Sequence, residues 1–173
     1  MVEKKTIQET FKEQLSWIQD QTIQEKVINV WHTAATQGEW SSLDDVPFTL
    51  LIPNSGKLTD HTKRVTNLAK KISEQRDEDL NIDYLIAGAL LHDVGKLLEY
   101  DHSGAEIVKS DFGTRFRHPV SGSKLAWLEG LPDEIVHIIY AHSHEGDKLP
   151  RTPESVIVNH SDFIDFHIKK ALL

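Results

Sequence analysis

The sequence predicts an all-α fold, and three observations carry that reading. Apolar residues recur at helical spacing along most of the chain, proline and glycine punctuate the apolar stretches in the order helices use, and strand-like character is confined to "FTLLI" at residues 48–52. Residues 6–37 place Ile7, Phe11, Leu15 and Ile18 on one stripe and Ile23, Val27, Val30 and Trp31 on a second, shifted one, which fits one long helix or two shorter ones. "SSLDDVPFTLLIPNSG" reads as a connection, punctuated by Pro47, Pro53 and the "NSG" turn.

The next helix is expected from about Thr59 to Gln75, with Val65, Leu68, Ala69 and Ile72 inward and His61 extending the stripe by one turn. "NIDYLIAGALLHD" predicts a third helix, capped by Asn81 or Asp83, burying Ile82, Leu85, Ile86, Ala89 and Leu90 and ending at His92 and Asp93. Tyr100 to Arg117 is polar and contains glycine, so it is expected as a loop with a short helix near Ala105 to Lys109, a place for a substrate lid. "HPVSGSKLAWLEG" has Pro119 at a first helical position and Gly130 as terminator. "LPDEIVHIIYAHSHEG" repeats the pattern with Pro132 and Gly146, and its stripe of Ile135, Ile138 and Ile139 runs into His142. A last helix is expected from about Pro153 to Lys170, where Val158, Asp162 and Phe166 recur every four residues.

At 173 residues the chain has the length of one domain, 1–173, with no repeat and no linker long enough to divide it. A hydrophobic content of 39% beside 27% charged residues fits a globular protein, and no apolar run approaches the roughly 20 residues of a membrane span. The opening "MVEKKTIQETFKEQ" lacks the apolar region of a secretory signal, so a cytoplasmic location is expected. The absence of Cys excludes disulfides, thiolate metal sites and cysteine nucleophiles, leaving His and carboxylate as ligands for any transition metal. A formal net charge of −8 argues against bulk nucleic-acid binding, which rests on Lys and Arg clusters, but leaves room for a small anionic substrate beside bound cations.

His61, His142 and Asp162 thus extend apolar stripes of three helices, and His92 with Asp93 closes a fourth. Burying such groups singly costs about several kcal/mol each, so they are retained by pairing with one another or by a shared cation. Imidazole nitrogen and carboxylate oxygen suit Fe, Mn, Zn, Co or Ni. A single histidine on an apolar face is more often a packed, hydrogen-bonded core residue, and it is the set that points to metal. His32, His102, His137, His160 and His167 are given ordinary packing or surface roles, because they face solvent on the helical reading or lack matching company.

The set resembles the HD superfamily of metal-dependent phosphohydrolases. Its H...HD...H...H...D pattern can be traced through His61 in "DHTKRVTNLAKKI", His92 and Asp93 in "LLHDVGK", His118 in "RHPVSGSKLA", His142 in "YAHSHEG" and Asp162 in "HSDFID", across residues 59–166. The fuller segments "HPVSGSKLA" and "SDFID" are similar to two-metal members, among them dinucleoside tetraphosphate hydrolases and the HD-GYP cyclic-dinucleotide phosphodiesterases. The resemblance implies an HD-domain helical bundle with its metallohydrolase core over 57–170 and an added N-terminal helical segment over 1–45. It implies two divalent transition-metal ions, iron first, with Mn, Zn, Ni or Co as alternatives. His61, His92, Asp93 and Asp162 would hold the first ion and Asp93, His118 and His142 the second, with a bridging hydroxide as nucleophile. The reaction implied is hydrolysis of a phosphomonoester or phosphodiester, with a nucleotide-type small molecule as substrate and at most a second copy of the chain as partner.

Asp93 and Lys96 are the expected catalytic residues, Lys96 either neutralising a substrate phosphate or pairing with a ligating carboxylate. Lys96, Arg115, Arg117 and His144 are the expected substrate contacts, and His144 is also an alternative ligand to His142 in "HSH". The chain departs from its relatives in having no Gly-Tyr-Pro after "HSHEGDKLP", which puts a cyclic-di-GMP substrate in doubt. Lys57 stands one turn before His61, where an acidic ligand of a third ion would fall, so no trinuclear site is expected. Two other readings remain: a nucleotidase with one metal on His61, His92, Asp93 and Asp162, and a helical signalling module without activity.

Overall fold

A computed structural model describes residues 2–103 and 106–173. The chain forms α1 (Lys4–Thr10), α2 (Lys12–Leu15), α3 (Gln21–Gln37), a 3-10 turn (Leu43–Asp45), α4 (Leu58–Ser73), α5 (Ile82–Leu91) and α6 (Lys96–Glu99). There follow β1 (Tyr100–Ser103), β2 (Glu106–Lys109), α7 (Asp111–Arg115), α8 (His118–Leu128), α9 (Asp133–Ala141), a second 3-10 turn (His144–Gly146) and α10 (Pro153–Ala171). The fold is all-α, a helical bundle carrying one small hairpin.

α5 is the axis of the bundle. Its residues from Leu85 through Leu91 are all buried, and it packs against α3, α4, α9 and α10, so a helix apolar on every side finds a partner on every side. Asn81 caps it by accepting from the backbone N–H of Tyr84. The N-terminal segment braces its far end: Trp31 in α3 donates its indole N–H to the Leu90 carbonyl at 3.0 Å, and Trp40 donates to the Leu97 carbonyl at 2.8 Å. Ile7, Phe11, Leu15 and Trp31 share one continuous apolar core with Ile86, Leu90, Leu97 and Leu125.

Four elements differ from the expectation drawn from the sequence. The first helical region is divided into α1, α2 and α3, because Asp20 accepts from the N–H groups of Thr22 and Ile23 and starts a new helix, while Asp83 holds the preceding turn through the N–H groups of Gln19 and Asp20. Thr62 and Thr66 are buried on α4, whereas Leu68 and Ile72 are half-buried. The expected loop from Tyr100 to Arg117 is instead an antiparallel hairpin, Tyr100 opposite Lys109, followed by α7. The short helix expected near Ala105 to Lys109 is replaced by β2 from Glu106 on, and Ala105 lies outside the described residues. Buried Tyr100 anchors the hairpin to the core and so overrides the low strand propensity of its polar neighbours. "FTLLI" forms no strand, only an isolated bridge between Pro47 and Lys57 at its base.

Between α5 and α6 the chain turns through His92–Gly95, with Lys96 N–H bonded to the Asp93 carbonyl and Leu97 N–H to the Val94 carbonyl. Gly95 is there for space rather than for conformation: its φ is −63°, and a Cβ added to it would meet the His118 carbonyl oxygen at 2.2 Å. The start of α8 is thereby brought against the turn that carries His92 and Asp93. Gly95→Ala should lower stability by about 1–3 kcal/mol through this overpacking, read as a lower urea midpoint at unchanged slope.

Candidate metal centre

Five pieces of the chain converge on one buried point. His61 comes from the first turn of α4, His92 and Asp93 from the turn after α5, His118 from the start of α8, His142 from the residue following α9, and Asp162 from the middle of α10. His61, His92 and His142 are fully buried, and Asp93 nearly so. Ligand-type atoms of His61, His92, Asp93 and Asp162 all lie within 4.8 Å of one another, as do those of Asp93, His118 and His142.

The Asp93 carboxylate stands between the two groups. Its Oδ2 is 3.3 Å from His61 Nε2 and 3.4 Å from His92 Nε2, and its Oδ1 is 3.1 Å from His118 Nε2 and 3.7 Å from His142 Nε2. Asp162 Oδ1 completes the first group at 3.2 Å from His61 Nε2.

Each imidazole has its other nitrogen committed. His92 donates Nδ1–H to the Ala89 carbonyl at 2.7 Å and His142 to the Ile139 carbonyl at 2.6 Å, each within its own helical turn. His61 donates to Asp165 Oδ2 at 2.7 Å, and His118 to Glu99 Oε2 at 2.7 Å. With Nδ1 as donor, Nε2 of all four presents a lone pair to the centre. His142 Nε2 is buried without a hydrogen-bond partner, and the Nε2 atoms of His61 and His92 face each other at 3.2 Å. Two lone pairs at that separation require a proton or a cation between them, so the donor set fits a metal ion on electronic grounds as well as by residue type.

The outer partners are themselves held. Asp165, which sequence reasoning missed, accepts from Arg64 Nε and Nη2 at 2.6 and 2.9 Å while holding His61. Glu99, also missed, accepts from both Nδ1 and the backbone N–H of His118, and Lys109 of β2 lies 3.3 Å from its other oxygen. Asn159 donates to the His142 carbonyl at 2.6 Å. Phe48 stacks on His61 with ring centroids 3.7 Å apart. A usable signal existed for Asp165, three residues after Asp162 on one helix face as Arg64 is three after His61; Phe48, in an irregular connection, had none.

Lys96 is buried, with its ammonium 2.6 Å from Asp93 Oδ2 and 2.7 Å from the Phe48 carbonyl, so of its two expected roles the structure displays the ion pair. A cleft of about 330 Å³ opens over Asp93, His118 and Asp162, and Arg117 and His144 line it. Arg117 pairs there with Glu145 at 2.8 Å and His144 with Asp147 at 3.1 Å. Arg115 is exposed at the end of α7 and is not among the lining residues.

Electrostatics follow from this packing. Burial disfavours a charged Asp93, but Lys96, His92 and His118 beside it outweigh that and hold its carboxyl well below the usual range. Burial likewise opposes charge on His61, yet hydrogen bonds to Asp162, Asp165 and Asp93 raise its pKa from 6.5 to about 9. For His118 burial prevails and lowers the pKa to about 4. In the protein without metal, His61 therefore carries a proton at neutral pH at the place a cation would take.

The HD domain family model matches residues 58–166, from the first residue of α4 into α10. The chain belongs to the HD domain family. This HD domain is 34% identical over 122 residues to a dihydroneopterin 2',3'-cyclic phosphate phosphodiesterase of Methanocaldococcus jannaschii, covering 65% of this chain and 47% of that protein. It is 33% identical over 103 residues to a ribonuclease Y of Pseudothermotoga lettingae, covering 60% of this chain and 17% of the relative. It is 31% identical over 122 residues to a tRNA (cytidine(56)-2'-O)-methyltransferase of Thermoplasma volcanium, covering 62% and 31% respectively. The chain thus spans less than half the length of each of these relatives. No solved structure matches it significantly. Family membership and the His/Asp cluster together indicate divalent-metal binding.

Asp165→Asn should weaken divalent-metal affinity by roughly 10–100-fold, the usual cost of losing an outer partner of a ligating histidine, measured by chelator competition. Because the His61 proton must leave when metal enters, titration of stripped protein with Mn²⁺ near pH 7.5 should release protons, and affinity should fall as pH is lowered. Calorimetry in two buffers of different ionisation enthalpy checks this, and a heat independent of buffer would contradict it. In stripped protein alone the sign is opposite: stability from His61 is fully present below about pH 6.5 and lost as pH rises through about 9.

Proposed function

We propose that this HD domain is a metal-dependent phosphohydrolase holding two divalent transition-metal ions and hydrolysing a phosphate ester of a nucleotide-type small molecule. The observation carrying the reading is the disposition of Asp93, one oxygen toward His61 and His92 and the other toward His118 and His142. His61, His92, Asp93 and Asp162 hold one ion on this account, and Asp93, His118 and His142 the other. The all-nitrogen-and-oxygen donor set suits iron, and equally Mn, Zn, Ni or Co. Two such ions supply Lewis acidity and water activation for in-line displacement at phosphorus.

The chain's own residues prepare that chemistry. Lys96 keeps Asp93 ionised and fixes its orientation, and so acts as a positioning residue through the carboxylate. Asp165 and Glu99 fix the ring planes and tautomers of His61 and His118. Phe48 closes one side of the centre and keeps bulk water off His61. Arg117 and His144 stand at the cleft wall, each paired with a neighbouring carboxylate, and Arg115 lies off that wall.

The relative from Methanocaldococcus jannaschii bears the name of a cyclic phosphate phosphodiesterase, and a 2',3'-cyclic nucleotide is therefore the first substrate to try. Protein loaded with Mn²⁺ or Fe²⁺ should hydrolyse it, and chelation should abolish turnover. His92→Ala and Asp93→Ala should each lower kcat by about a hundredfold or more, the scale of losing a main electrostatic stabiliser of the transition state. Turnover retained in stripped protein, or in Asp93→Ala, would refute the mechanism.

A further inference from the structure

The cleft over the centre is lined by two kinds of surface. At its floor are Asp93, His118 and Asp162. The lining cations are already engaged by carboxylates, Lys96 with Asp93, Lys109 with Glu99 and Arg117 with Glu145. His144 has Asp147 as its partner. The rest of the wall, beside the polar groups of Thr49, Tyr100 and Ser143, is largely apolar, made by Leu50 and Leu51 of the connection before α4 and by Phe163 and Phe166 of α10. Leu50 and Leu51 are 41% and 80% exposed, and Phe163 is half-buried, its ring edge-on to His144 and beside His167 at centroid distances of 5.9 and 5.5 Å. Phe163 immediately follows Asp162, so this ring is tied to the centre by one peptide unit on a rigid helix.

An apolar, partly exposed wall beside a charged floor is the composition of a site for an amphiphilic small molecule. With the phosphate directed to the floor, and the cations lining it already paired, discrimination among phosphate esters falls to the group at the other end of the substrate. We infer that this group is a flat heteroaromatic ring packed against Phe163, with Leu50 and Leu51 as further apolar contacts, and that Phe163 is a specificity-determining residue of the cleft. The inference rests on the phosphohydrolase reading for the direction of the phosphate. A cleft of about 330 Å³ has the size of a small-ligand site and holds a ring, a sugar and one phosphate rather than a polymer.

The test compares adenosine 5'-monophosphate with ribose 5-phosphate, which share sugar and phosphate and differ in the ring. Calorimetry on the Mn²⁺-loaded protein should give roughly tenfold to hundredfold tighter binding of the nucleotide, the range that one base-to-aromatic stack supplies. Phe163→Ala should remove that advantage and leave the affinity for ribose 5-phosphate unchanged, and Phe163→Trp should restore it; circular dichroism confirms the fold of each variant. Equal affinity for the two ligands in the unaltered protein, an advantage that survives Phe163→Ala, or failure of both to bind would overturn the inference. The phosphohydrolase reading is judged separately by the same titrations on stripped protein: binding of ribose 5-phosphate indifferent to metal would sink that reading while leaving the ratio of the two affinities to judge the ring.

Discussion

A carboxylate buried among four imidazoles is the constraint around which this molecule is arranged. Asp93 sits in an environment that should favour its neutral form, and it is kept ionised chiefly by Lys96 beside it. Removing a carboxylate from water costs about several kcal/mol even after relaxation, and its partners must be held in place to offset that. The helices around α5 do this: α4, α8, α9 and α10 each contribute a polar residue where an apolar one would otherwise face the core.

The supporting groups explain why a simple cluster of histidines becomes a defined centre. Each of the four imidazoles has Nδ1 anchored outward, two by carbonyls of their own helical turns and two by carboxylates, and this turns Nε2 of each toward the centre. Ring orientation and tautomer are thereby settled before any cation arrives, so little ordering remains to be done on binding. Gly95 lets α8 approach closely enough for His118 to join, and Trp31 and Trp40 pin the helix ends that carry His92 and Lys96. The N-terminal helices are therefore connected mechanically to the centre although they contribute no side chain to it.

Most of the inner residues were legible because they break a pattern, whereas His118 breaks none and was legible only through the family resemblance. A histidine or aspartate on an apolar stripe is conspicuous, and the helices carrying His61, His142 and Asp162 are long and regular enough for the stripe to be read. The outer residues break no pattern: Glu99 looks like any acidic residue at a helix end, and Asp165, although its spacing from Asp162 puts it on the same helix face, is joined to His61 only by the fold. The hairpin of Tyr100–Ser103 and Glu106–Lys109 was illegible for a related reason, since its strands lack alternation and are held to the core by Tyr100 and Ile107. Lys96 was left between two roles because spacing places an ammonium one turn from Asp93 without saying which way it turns; in the fold it turns inward.

The account reduces to whether Asp93 lies between two cations. Anomalous diffraction from crystals grown with Mn²⁺ or Fe²⁺, collected on either side of the metal absorption edge, addresses this directly. Two peaks are expected, one bounded by His61, His92, Asp93 and Asp162 and the other by Asp93, His118 and His142. A single peak, or none with the imidazoles joined to one another by hydrogen bonds alone, would contradict it.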